Sequence, residues 1–150
     1  MAEEALEASA EDYNVYVTVM NSLGALGKSD ARSMLRARMI TALENHLRPV
    51  PEDARARVLL AGQYAEGGRT DDALREANLA MALRPNEATV LYNLACTFCS
   101  LGKKTEAMDA LRKAWQAGFR ESDWARRDPD LALLQDEPEF QQLYPAMPNA

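Results

Sequence analysis

Residues 54–87 repeat their own apolar and turn pattern when shifted forward by 34 positions, and that constraint dominates every other feature of the chain. Leu60, Ala61, Tyr64, Gly68, Ala73, Ala77 and Ala80 fall on Leu94, Ala95, Phe98, Gly102, Ala107, Leu111 and Ala114. A fixed period of this size marks a stacked array of helix–turn–helix units, because each unit leaves an apolar face that its neighbour must cover. The array is therefore expected to be all-α, built from antiparallel helix pairs.

The pairs can be placed by their punctuation. Tyr16, Val19, Met20, Leu23 and Leu26 recur at three- and four-residue steps, the spacing of one helix face, before Gly27. Ser29 is the expected N-cap of a second helix carrying Leu35, Met39, Leu43 and Leu47, which Pro49 and Pro51 close. This first pair, residues 13–53, is 41 residues long against 34 for the later units. Two extra helical turns, about 10 Å, should make its second helix project beyond the stack. The second unit, 54–87, splits at Gly67-Gly68 and closes at Pro85; the third, 88–121, splits at Gly102 and closes at Gly118. Small residues at Ala61, Ala73, Ala80, Ala95, Ala107 and Ala114 let paired helices approach, and Tyr64 and Phe98 fill the space between units.

After Phe119 the rhythm breaks. Residues 122–127 can make only a short helix, Asp128-Pro129 is an N-cap followed by proline at the first helical position, and Glu137-Pro138 starts another short turn. Trp124, Leu131, Leu134, Phe140, Leu143 and Tyr144 form the apolar set expected to cap the last repeat over residues 122–144. Residues 145–150 should fray. At the other end, residues 1–12 hold five acidic and no basic residues around a single large apolar anchor, Leu6. They read as a weakly held helix, a disordered leader, or the end of a linker from a longer protein.

Composition removes several function classes. A net charge of −6 disfavours phosphate backbones and anionic membrane surfaces, so neither nucleic acid nor membrane is an expected partner. No run approaches the roughly 18 apolar residues of a membrane span, and the acidic start is the reverse of a signal peptide. Two closely spaced cysteines are too few to staple a secreted fold, which points to a cytoplasmic chain.

Catalytic chemistry has little to work with. His46 is the only histidine. Cys96 and Cys99 form a C-x-x-C inside a helix rather than at its N-terminus, where the dipole would activate a thiol, so structural thiols are expected. A zinc site would need about four ligands, and no second cysteine pair exists. Asp71-Asp72 and Glu3-Glu4 lie at a helix start or in the leader, and Gly67-Gly68 lacks the strand and lysine of a phosphate loop. The expectation is a protein that is not an enzyme and carries no metal or cofactor.

The segments LAGQYAEGGRTDDALREANLAMALRP and LYNLACTFCSLGKKTEAMDALRKA resemble tetratricopeptide repeat (TPR) motifs. FRESDWARRDPDLALLQDEPEF resembles the end-of-group element that closes certain bacterial TPR arrays. The resemblance implies a right-handed α-solenoid of about three units plus a C-terminal cap, serving protein–protein interaction in a signalling or regulatory assembly. Two positions depart from the pattern: Arg57 stands where a bulky apolar residue is usual, and Phe119 replaces the closing proline.

In such arrays the first helix of each unit lines an inner groove. The corresponding stripe here holds Asn14, Val17, Thr18 and Asn21, then Arg55, Val58, Leu59 and Gly62, then Thr89, Tyr92, Asn93 and Cys96. Asparagine suits a groove that reads extended peptide, since its amide both donates and accepts. The Lys/Arg carboxylate clamp of chaperone-binding members is replaced by Val17, Leu59 and Thr89, leaving Arg126 and Arg127 as the cations that could rebuild it. The resemblance thus implies a peptide or protein ligand and a monomer or weak homodimer. The alternative is a structural array that oligomerises or docks an effector domain through the extended first pair or the N-terminal segment.

Overall fold

The computed structural model describes residues 12–146, and the expectations for residues 1–11 and 147–150 lie outside that range. Among the described residues there is no strand. Six helices form three antiparallel pairs: α1 (Tyr13–Ala25) with α2 (Ser29–Leu47), α3 (Ala54–Glu66) with α4 (Thr70–Leu83), and α5 (Ala88–Ser100) with α6 (Lys104–Gln116). Three short segments follow: α7 (Ser122–Arg127), a 3-10 turn (Pro129–Leu134) and α8 (Pro138–Leu143). None of these helices is long and apolar enough to cross a membrane.

The turn inside each pair has one chemical design. After α3 the chain passes through Gly68 at φ +78°, a left-handed conformation that glycine reaches without a Cβ penalty, and the Arg69 N–H returns to the Tyr64 carbonyl at 2.8 Å. Gly27, Gly102 and Gly118 repeat the positive φ, with the same return bond from Lys28, Lys103 and Phe119. Within the three pairs the residue after the glycine, which spends its N–H on this bond, is already the cap of the next helix, whereas after Gly118 the next helix is capped two residues beyond Phe119, at Glu121. Lys28, not Ser29, therefore occupies the N-cap of α2, and Ser29 is the first helical residue. Leu26, expected on the packing face of α1, lies past the helix end and is 71% exposed.

At 19 residues α2 outruns every other helix, as its sequence spacing required. Packing falls into two clusters. Tyr13, Tyr16, Met20, Met39, Leu43 and Leu47 join Leu60, Tyr64 and Ala73 around the first pair. The other runs from Ala77 and Ala80 through Leu91, Leu94, Ala95, Phe98, Ala107, Leu111 and Ala114 to Ala125, Leu131, Leu134, Phe140 and Tyr144. Units two and three stack helix by helix, α5 lying against both α3 and α4. Unit one docks differently: α2 carries the main contact with α3, and α1 reaches α3 at its first residues, where Arg55 donates to the Tyr13 hydroxyl at 3.2 Å and to Asn14 at 2.6 Å.

Arg57 is accommodated by an ion pair rather than by apolar packing. Its Nη1 meets Glu76 on α4 at 2.6 Å and its Nε donates to the Pro51 carbonyl at 2.8 Å, with side-chain exposures of only 14% and 8% for the pair. The two helices of the middle unit are thus tied by charge where its neighbours use hydrocarbon.

The cap closes the open end. The 3-10 turn lies chiefly against α5 and also against α6, the contacts a fourth unit's first helix would make, and α8 adds contact with α6. Arg112 on α6 pairs with both oxygens of Glu139, and Arg126 donates to the Tyr144 carbonyl at 2.9 Å and to Gln141. Burial pushes the Tyr144 phenol up to about 12, and its hydroxyl donates to the Phe119 carbonyl. Leu131, Leu134, Phe140 and Tyr144 are buried as expected, but Trp124 is 60% exposed. Ala125 is the residue of α7 that faces the core, and the helical step of about 100° per residue turns its neighbour Trp124 away.

Candidate partner-binding groove

The residues of the expected inner stripe divide into free and committed groups. Asn14, Thr18, Asn21, Arg55, Thr89 and Asn93 are exposed. Within the described residues Asn21, Thr89 and Asn93 make no side-chain hydrogen bond, whereas Asn14 and Arg55 bond each other and so bridge units one and two. Thr18 satisfies its hydroxyl on the Asn14 carbonyl.

Three expected groove residues serve the fold instead. Tyr92 is 5% exposed, stacks on Phe119 with ring centroids 4.0 Å apart, and donates its hydroxyl to Asp128 Oδ2 at 2.6 Å. Burial first, and the Asp128 carboxylate second, raise its phenol well above the usual range. It is a floor residue covered by the cap, not a flat face open to a ligand. Val58 is buried in the main cluster. Arg126 holds the end of the cap, which commits it away from a carboxylate clamp, while Arg127 is exposed with Asp123 3.9 Å away.

At the junction of units one and two a second polar cluster forms. His46 shares a 2.7 Å hydrogen bond with Asp53 Oδ2, the Tyr13 hydroxyl donates to the same carboxylate at 3.3 Å, and the Ala56 N–H is capped by Asp53 Oδ1. Burial pushes the Asp53 carboxyl up, but the Ala56, His46 and Tyr13 hydrogen bonds outweigh it and hold it below the ordinary value. This cluster fixes the start of α3 and so the angle between the first two units. At the opposite end of this helix pair, Arg32 and Arg36 on α2 both reach Glu66 at the end of α3, at 3.1 and 3.2 Å.

The cap brings one further set of groups to α5. Cys96 Sγ and the carboxylates of Asp128 and Asp130 place ligand-type atoms within 4.8 Å of one another. Cys96 and Cys99 line a shallow cleft with Asp130, Ser100, Pro129, Ala132 and Leu133. Burial, then Asp128 and Asp130, lifts the Cys96 thiol far above its usual value; burial, then Asp130 and Asp128, pushes Cys99 up to about 11. Asp130 is itself raised by burial and by Asp128. The sequence expectation of structural thiols rested on the lack of a second cysteine pair; the carboxylates come from 32 and 34 residues away in the chain, where no spacing rule would seek them.

A solved structure of MamA AMB-1, a TPR-type protein, aligns with 96% of this chain and 74% of its own length, at a TM-score of 0.51 and 20% identity. The fold is a TPR-type α-solenoid. In sequence, the chain is similar to a chloroplastic protein of Arabidopsis thaliana, with 31% identity over 106 residues. That match takes in 67% of this chain but 32% of the relative, so the chain spans about a third of that protein's length. No family model matches the sequence.

Proposed function

We propose that the chain is a noncatalytic protein-interaction module that receives an extended peptide or protein segment along the inner stripe of α1, α3 and α5, as part of a cytoplasmic signalling or regulatory assembly. The observation that carries this reading is the row of exposed, uncommitted polar side chains, Asn21, Thr89 and Asn93, on helices whose other faces are locked into the stack. A preformed surface of this kind binds with little reorganisation cost, and amide side chains satisfy an extended backbone without demanding one ligand sequence. Asn14 and Arg55 would contribute at the junction, with Thr18 beside them.

The test replaces Asn21, Thr89 and Asn93 with alanine together and compares capture of partners with the wild-type chain. Loss of capture at unchanged thermal stability supports the groove; undiminished capture rejects it. Tyr92 is excluded from this set because its loss would release the cap.

A second reading, a docking or oligomerisation array, draws on Leu26 and Met34, which are 71% and 78% exposed at the turn and first half of the projecting pair. Sedimentation at several concentrations separates the two: reversible association abolished by Leu26→Ser and Met34→Ser supports docking through that end, and a concentration-independent monomer removes the oligomerisation form of it.

A further inference from the structure

The structure assigns a binding site for a thiophilic divalent cation of the Zn2+ class to the junction of α5 and the cap, with Cys96, Cys99, Asp128 and Asp130 as ligands. The argument starts from donor chemistry. Cys96 and Cys99 stand three residues apart on one helix, so they share a face one turn apart. Opposite them, the 3-10 turn and the residue before it supply two carboxylates, and Cys96 Sγ already lies 4.0 Å from Asp128 Oδ2. Two soft sulfurs with two carboxylate oxygens match the mixed ligand sets zinc accepts, whereas calcium and magnesium take oxygen ligands and more of them.

Spacing agrees with this. Zn–S bonds of about 2.3 Å and Zn–O bonds of about 2.1 Å put tetrahedral ligand atoms about 3.4–3.8 Å apart. The three ligand-type atoms of Cys96, Asp128 and Asp130 lie within 4.8 Å of one another, about an ångström wider than that spacing at most. Cys99 stands outside that set of three; it lines the same cleft as Cys96 and Asp130, and on binding its side chain would have to turn toward them to complete the four.

Asp128 is also held in the manner of a metal-site carboxylate. Its Oδ2, the oxygen nearest Cys96 Sγ, accepts the Tyr92 hydroxyl and its Oδ1 accepts the Asp130 backbone N–H at 3.0 Å, contacts that fix the orientation of the group. Burial raises the two thiols and Asp130 most, and the crowding of neighbouring carboxylates adds to it: Asp128 and Asp130 on the thiols, Asp128 on Asp130. A dication would relieve that crowding, each thiol passing its proton to solvent as its sulfur becomes a ligand.

The experiment titrates the reduced 150-residue chain with Zn2+ against a chromophoric chelator, and separately with Co2+ while recording the near-ultraviolet sulfur-to-cobalt band. The expected result is one equivalent of tight binding with that band present. Cys96→Ser with Cys99→Ser should abolish the band. Asp130→Asn, whose side chain makes no hydrogen bond among the described residues, should keep the helical circular dichroism and weaken Zn2+ at least about tenfold, the lower end of what losing even an outer-shell partner costs. Cys99→Ser alone is the milder thiol variant and should weaken binding likewise. No stoichiometric binding by the wild type overturns the assignment. So does undiminished affinity in Asp130→Asn or in the double serine variant, which would place the ion elsewhere, for example at His46 and Asp53.

Discussion

Breaking the Arg57–Glu76 pair should cost far more than an ion pair usually does, and removing both partners together should restore most of what either single change loses. With exposures of 14% and 8%, both charges have left water, and their compensation is each other: the next cation near Glu76, Arg75, stands 3.7 Å away and is itself half exposed. Glu76→Leu leaves a guanidinium whose other bond is the Pro51 carbonyl. Arg57→Leu leaves a nearly buried carboxylate. Removal of one partner from a buried pair costs about 3–5 kcal/mol, and the lower end applies because Arg57 can swing toward solvent when Glu76 is lost and Arg75 stands 3.7 Å from Glu76 when Arg57 is lost. At about 2–4 °C per kcal/mol for a chain of this size, each single variant should melt about 6–12 °C below wild type.

The double variant Arg57→Leu/Glu76→Leu puts hydrocarbon where related units place it and should fall within about 1 kcal/mol of wild type, or exceed it. The shortfall from additivity, about 5 kcal/mol, is the quantity a double-mutant cycle reads from urea or thermal unfolding. Single losses below about 1 kcal/mol, the range of exposed pairs, or strict additivity, would show that the pair is solvated in solution and that α3 and α4 are held by their alanines alone.

Two further outcomes follow from named contacts. Tyr92→Phe keeps the ring on Phe119 but leaves Asp128 without its hydroxyl donor, so the chain should lose about 2 kcal/mol and melt about 6 °C lower; an unchanged melting temperature would mean the hydroxyl contact contributes nothing to holding the cap. Asp53 is held below the ordinary carboxylate value in the folded state, so its contribution is complete above the unfolded value of about 3.9 and is lost as pH falls through the lower folded value. Asp53→Asn retains an N-cap acceptor and should flatten the fall in melting temperature below about pH 4; parallel curves for the two proteins would contradict this.

What the sequence made legible and what it hid divide along the range of the interaction. The helix pairs, their glycine turns and the Asp128-Pro129 and Glu137-Pro138 starts are set by residues within a few positions of one another, and each appears where its local chemistry placed it. Ser29 failed as a cap for a reason equally local but easily missed, because the glycine turn takes the following N–H. The misplaced groove residues failed through long-range contacts. Tyr92 occupies a stripe position in the repeat pattern, yet what decides its environment is a carboxylate 36 residues later. Arg57 was visible as an exception to the pattern, but its partner on the opposite helix was not, since nothing local marks Glu76 as buried.

The same division bears on where a partner could be read. A solenoid must end, and this one ends by laying its 3-10 turn in the place of a fourth first helix, which consumes the deep side of unit three's stripe at Tyr92 and leaves Thr89 and Asn93 at its rim. At the other end α1 meets α3 at its start, so Asn21, two turns further along α1, is not covered by a neighbouring first helix as α3 is by α5. The proposed reading surface is therefore asymmetric: its cap end is held by buried aromatic packing, while the angle of its first unit is set by the apolar packing of α2 on α3 together with the polar hinge of Tyr13, Asn14, His46, Asp53 and Arg55. A ligand engaging both Asn21 and Asn93 must select one angle at that hinge, so weakening the hinge should reduce affinity even with Asn21, Thr89 and Asn93 intact. Tyr13→Phe removes the shared hydroxyl of the hinge and leaves Asn21, Thr89 and Asn93 untouched, but it also frees Arg55; an affinity loss that persists when Arg55 is already alanine assigns the effect to the angle, and one that disappears there assigns it to Arg55.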